Sequence, residues 1–187
     1  MKTISKKITA LLLMLVMAVT VFSVSTIDSQ AASTKKVTAN YNPKKAKALK
    51  VGNNKVTSPK TYKKDGIGSR YTYVKFVAPK DGTYKLTMSN IACNDSSSAL
   101  CNFYICDKPP YYSSIYVKTN YGKATCLFMA TKASYNAFHK NEKNTTNKYL
   151  AKRYGQLKLV KGQTVYIKLY CTNVTKLTYN VNVKKVK

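Results

Sequence analysis

The chain has 187 residues, of which 33 are Lys or Arg, 6 are Asp or Glu and 1 is His, for a net charge of +27. A hydrophobic fraction of 44%, with 16 Tyr, 5 Phe and no Trp, suffices for one packed domain and excludes wholesale disorder. Six carboxylates and one imidazole leave most acid–base and metal chemistries without side chains to perform them.

Lys2, Lys6 and Lys7 precede an apolar run from Ile8 to Val24, and a polar stretch then leads to Ala31 and Ala32. This is the pattern of an export signal, residues 1–31, with cleavage after Ala31 or Ala32. The alternative is an uncleaved anchor, although a run of about 17 residues is at the short edge of what crosses a bilayer. The expected location is therefore outside the cell, at its surface, with no span in the mature chain. Cleavage removes Lys2, Lys6, Lys7 and Asp28, which lowers the net charge by only two.

Residues 32–45 are rich in Lys and read as a flexible arm, and 46–187 read as one domain of strands. Short strands are expected over Ala46–Val51, Leu100–Cys106, Tyr112–Val117 and Thr125–Ala130. Two hairpins are expected. In the first, Tyr71–Val77 turns through Ala78-Pro79-Lys80-Asp81-Gly82 into Thr83–Met88, with Gly82 supplying a positive φ. Thr72, Val74 and Phe76 face inward there, with Tyr84, Leu86 and Met88 matching them. In the second, Gly155–Val160 turns at Lys161-Gly162-Gln163 into Thr164–Cys171, whose inward row is Val165, Ile167, Leu169 and Cys171. The Asn-Thr-Thr-Asn centre of 132–153 argues for a loop. Leu177, Tyr179, Val181 and Val183 alternate with polar residues in the last strand. One-sided alternation without helical periodicity gives an all-β fold, an antiparallel β-sandwich.

The five cysteines, Cys93, Cys101, Cys106, Cys126 and Cys171, are odd in number and form no C-x-x-C pair. All five are candidates for disulfides, with the pairing open, while Cys171 also suits a small buried apolar role. No metal site follows from their spacing.

Tyr73-Val74-Lys75-Phe76-Val77-Ala78-Pro79-Lys80-Asp81-Gly82-Thr83-Tyr84 resembles the Asp-Gly-x-Tyr hairpin of bacterial pre-peptidase C-terminal domains. Val160-Lys161-Gly162-Gln163-Thr164-Val165-Tyr166-Ile167-Lys168 is similar to that family's Lys-Gly-x-x-Tyr-Ile hairpin, and Tyr179-Asn180-Val181-Asn182-Val183 to its closing strand. The resemblance implies a jelly-roll-like sandwich, exported by bacteria, without catalysis of its own and working beside a peptidase or another surface protein. Some members hold calcium through clustered carboxylates. Here Asp65, Asp81, Asp95, Asp107 and Glu142 are too scattered to form such a cage, and no cofactor is expected.

A chain this basic is drawn to polyanions. Outside a cell these are wall phosphate polymers, acidic polysaccharides and anionic lipid surfaces. Arg occurs only at Arg70 and Arg153, and Lys lacks the bidentate fork that reads base edges, so sequence-specific nucleic-acid binding is excluded. Tyr71, Tyr73 and Lys75, with Tyr166, Lys168 and Tyr170, fall opposite the two inward rows and are candidate ligand-binding residues, the alternative being that these tyrosines pack under a loop or a second layer. Tyr111 and Tyr112, after Pro109-Pro110, are two more. The expected function is a secreted, non-catalytic module that associates with anionic surface polymers. One alternative is a haem carrier using Tyr166 and Tyr170, whose Tyr-x-x-x-Tyr spacing occurs in haem-binding surface domains, with one phenolate on iron. The other is a small secreted hydrolase, for which His139, or Asp95 with Asp107, is the available catalytic material. No orienting partner for His139 is evident, and no catalytic residue is assigned.

Overall fold

The structure is a computed structural model that describes residues 33–59, 71–93, 100–109, 112–139, 151–171 and 176–187. Its folded unit runs from Thr34 to Lys187. No helix among the described residues is long and apolar enough to cross a membrane.

Among the described residues, twelve strands form two sheets. In chain order they are β1 (Lys35–Thr38), β2 (Lys47–Ala48), β3 (Gly52–Thr57), β4 (Thr72–Val77), β5 (Gly82–Cys93), β6 (Leu100–Cys106), β7 (Val117–Thr119), β8 (Gly122–Ala124), β9 (Cys126–Ala130), β10 (Lys152–Leu159), β11 (Thr164–Cys171) and β12 (Leu177–Lys185). The larger sheet has the order β1-β3-β12-β5-β10-β7-β8, and the smaller β2-β4-β11-β6-β9.

The all-β sandwich read from alternation is what the chain forms. The inward rows of β4, β5, β6, β11 and β12 are buried, and they meet between the layers: Phe76 lies 5.0 Å from Tyr84 and Phe103 lies 5.1 Å from Tyr179, ring centre to ring centre. Each such fully buried side chain contributes about 1.5–3 kcal/mol of transfer free energy. The sheets are mixed, however, and not wholly antiparallel. β1 runs parallel to β3, and β2 parallel to β4.

The first of these pairs comes from the segment expected to be a flexible arm, 32–45, and the structure corrects that expectation, placing β1 there. Val37 and Ala39 are buried while the neighbouring lysines point outward, so a short alternating pattern sits among the lysines. The segment then leaves the large sheet. Asn40 pairs with Tyr73, where each backbone N–H donates to the other's carbonyl, at 3.1 and 2.8 Å. A 3-10 turn at Pro43–Lys45, capped by the Asn42 side chain, leads into β2. The lysine-rich segment thus laces one side of the sandwich. Of the expected strand Ala46–Val51, only Lys47–Ala48 is one, and the unexpected β3 follows it.

A second correction concerns both hairpins. β4 pairs with β11 and β2, and β5 with β12 and β10, so the Pro79–Asp81 turn carries the chain from one sheet to the other. β10 and β11 are related in the same way. Each turn is an arch over the core, and its two inward rows face each other across the sandwich instead of lying side by side. The arches are joined. Ala78 donates to the Gln163 carbonyl at 2.9 Å, Gly162 donates to that of Ala78 at 2.8 Å, and the Lys161 N–H donates to Asp81 Oδ1 at 2.6 Å. Gly82 and Gly162 take φ of 152° and 80°, as the turns require.

The remaining strands follow the expectations unevenly. β6 matches its expected span and β9 nearly so. The strand expected over Tyr112–Val117 is reduced to one bridge, Ser114 with Cys106, before β7. Among the described residues of 132–153, an α-turn, Lys132–Ser134, continues as a π-turn, Tyr135–His139, and β10 begins at Lys152; the Asn-Thr-Thr-Asn centre lies outside the described residues.

Candidate functional site

The outer face of the smaller sheet gathers most of the residues singled out in the sequence. Cross-strand register makes this a matter of geometry. On β11, Tyr166 stands between Lys75 and Cys106, Lys168 between Tyr73 and Tyr104, and Tyr170 beside Asn102. The rows extend onto β9, where Cys126 is opposite Tyr104 and Phe128 opposite Asn102. Because alternate side chains share a face, these residues form one outward surface.

The surface has a covered end and an open end. At the covered end Ala46, Cys106 and Tyr166 are buried, with Tyr73, Tyr104 and Tyr112 packed against them. Tyr112 has φ of 47°, a left-handed conformation uncommon for a side chain of this size. Its ring lies edge-on to Tyr166 at 4.9 Å and 6.0 Å from that of Tyr73. Tyr166 is consequently only 7% exposed, and its place as a surface aromatic is corrected: the loop before β7 lies over it.

At the open end Tyr71 packs on Tyr170 at 5.4 Å and edge-on to Tyr104 at 6.3 Å. The Lys168 ammonium sits 4.6 Å from the Tyr71 ring centre and 5.1 Å from that of Tyr104. Beyond them Leu100 and Phe128 are exposed, Phe128 at 52%. The result is an aromatic floor with one ammonium set into it.

Three phenols and two thiols here are held in their neutral forms. Burial, then the neighbouring Cys126, pushes the Tyr104 phenol up to about 12. Burial also raises Tyr73 and Tyr112. The Cys106 thiol is raised by burial, partly offset by the charge of Lys168, and that of Cys126 by burial, partly offset by Tyr104 and Arg153. At neutral pH the surface offers neutral phenols, protonated thiols and lysine charge. Such a set can stack and donate hydrogen bonds.

Tyr111 lies outside the described residues, as do Asp65, Asp95, Glu142 and the side chain of His139. Tyr104, Phe128 and Leu100 were missed in the sequence. Arg153 is withdrawn from the charged surface. It is 2% exposed, donates from Nε to the Phe128 carbonyl at 2.7 Å and stacks over Tyr121 at 4.2 Å. The five cysteines stand as follows: Cys101 and Cys171 buried between the layers, Cys106 buried under the tyrosines, and Cys93 and Cys126 partly exposed. No group of three potential metal-ligating side chains occurs among the described residues.

No protein-family model matches the chain, and no curated protein matches it.

Proposed function

We propose that this protein is a secreted, non-catalytic binding module, and that the open end of its smaller sheet engages an acidic glycopolymer. The observation that carries this reading is Lys168, held over Tyr71 and Tyr104 on a surface continued by Tyr170, Asn102 and Phe128. Sugar rings stack on aromatic faces, and an ammonium beside them attracts the carboxylates or phosphates that such polymers carry. The charge of +27 against only 6 acidic residues supplies long-range attraction of the same sign. Resemblance to pre-peptidase C-terminal domains, including their jelly-roll arrangement and accessory role beside a surface enzyme, supports the same reading. The motifs that carry the resemblance contain the two joined arches, which carry the chain between the sheets.

The haem alternative needs an accessible phenolate, whereas Tyr166 is covered by Tyr112 and Tyr170 is packed on Tyr71. That geometry favours the polymer reading.

The test is retention on an immobilised acidic polysaccharide, with a neutral polysaccharide as control, at rising salt. Retention should fall steeply with ionic strength on the acidic matrix and be weak on the neutral one. Salt-independent retention, or equal retention on both matrices, would exclude the proposal.

A further inference from the structure

Strands β6 and β11 run antiparallel through the middle of the smaller sheet, and Cys101 and Cys171 are partners in their register. Directly opposed residues on such strands have Cα atoms about 4.5–5.5 Å apart, inside the range that a disulfide spans. Both side chains are fully buried and point to the core. Their sulfurs lie 2.8 Å apart, closer than two sulfur atoms approach when merely packed, and Cys171 Sγ also lies 3.3 Å from the Leu100 carbonyl. Cys106 and Cys126 are on the opposite face of the sheet, packed with tyrosines, and neither reaches this pair.

We infer that Cys101 and Cys171 are the cysteines this fold joins, as a cross-strand disulfide between β6 and β11. In the reaction two thiols become one S–S bond. Two protons go to solvent, and two electrons reduce the disulfide bond of the oxidant, a small-molecule disulfide or a protein of the thiol–disulfide exchange class, to two thiols. Both sulfurs are fully buried in the folded chain, out of reach of an oxidant, and the neighbouring Cys171 sulfur and burial hold the Cys101 thiol above its ordinary range. The bond therefore forms while the chain folds, before the layers close. Cys93, at the end of β5 in the other sheet, is near enough for its charge to bear on Cys101 and is the competing partner.

Because 70 positions separate the two cysteines, the crosslink closes a long loop and restricts the unfolded chain strongly. For a domain of this size the expected effect is a melting temperature raised by roughly 10 °C over the reduced chain.

The experiment refolds the full chain in a mixture of oxidised and reduced glutathione, blocks remaining thiols by alkylation, and maps peptides after chymotrypsin. Cleavage after Leu100 and Phe103 separates Cys93, Cys101 and Cys106. The expected result is one linked pair, Cys101 with Cys171, two hydrogens lighter than its reduced peptides, with Cys93, Cys106 and Cys126 alkylated. A Cys93→Ser, Cys106→Ser, Cys126→Ser triple variant should show no reactive thiol when folded and two after reduction. Full alkylation of all five cysteines, or linkage of Cys101 to Cys93, would overturn the assignment. A melting temperature unmoved by reductant in a chain whose two cysteines are mapped as linked would overturn the stabilising effect of the crosslink.

Discussion

Lys168 extends its ammonium to 4.6 Å from the centre of the Tyr71 ring, from the strand paired with the one that Tyr71 precedes. An exposed cation–π contact of this kind contributes about 0.5–1 kcal/mol, so the lysine is not needed to hold the sheet together. Its value lies in placing one positive charge within an aromatic surface. Lys168→Ala should leave the melting temperature within a few degrees of the parent, yet elute earlier from an acidic polysaccharide. Its log–log dependence of affinity on salt should be shallower by roughly one unit. Lys168→Arg, which keeps both charge and ring contact, should restore retention. Isothermal titration at two salt concentrations checks both variants. Unchanged affinity in Lys168→Ala would remove this residue from the site.

Phenols of that face, with Tyr121 beside the larger sheet, set the protein's behaviour in alkali. Tyr104 is raised to about 12 from 10.0, mainly by burial, and Tyr73, Tyr112 and Tyr121 are raised by burial as well. A phenol raised on folding keeps its proton in the native chain when the unfolded chain has already lost it. Between pH 10 and 12 the native state therefore binds more protons, and stability falls as pH rises. The contribution is fully present below pH 10. Denaturant midpoints should stay level up to that point, as far as these phenols are concerned, and decline beyond it. Tyrosinate absorbance should appear later in the folded protein than in the denatured one. Tyr104→Phe should make the decline shallower. An equal decline in that variant would show that Tyr104 titrates as it does when unfolded.

Side-chain alternation made the buried rows legible but not the pairing of the strands that carry them. Thr72, Val74 and Phe76 followed by Tyr84, Leu86 and Met88 read identically whether the two strands lie side by side or face each other across a core. Only long-range partners decide between these, and β11 and β12 are 80 or more residues away. The aromatic floor was legible where outward residues interrupt an apolar row, as Tyr71, Tyr73, Lys168 and Tyr170 do. Tyr104 could have been placed by the same rule, since it stands between Phe103 and Ile105, which point inward. Phe128 could not, because Cys126-Leu127-Phe128-Met129-Ala130 is apolar throughout and shows no side preference. Tyr166 obeyed alternation and is covered nonetheless, by a loop whose path no local pattern specifies.

Gly155 is the point where this packing leaves least room. It lies on the inward row of β10, opposite Leu86 of β5, and a Cβ built there would collide with Ile105 Cδ1 and come within 3.0 Å of Val117 Cγ2. Ile105 belongs to the other sheet and is buried, so its side chain fills the space that the glycine leaves. Glycine in a strand normally weakens it, and the layers close here because of that missing side chain. Gly155→Ala should destabilise the fold by about 1–3 kcal/mol, as overpacking of a filled core does. Ile105→Val removes the colliding methyl group. On the parent background it should be destabilising, but combined with Gly155→Ala it should recover part of the loss. A double-mutant cycle by chemical denaturation measures that coupling. Strict additivity of the two substitutions would mean that β10 shifts away from Ile105 to admit the alanine, and that the contact between the layers at this position is loose.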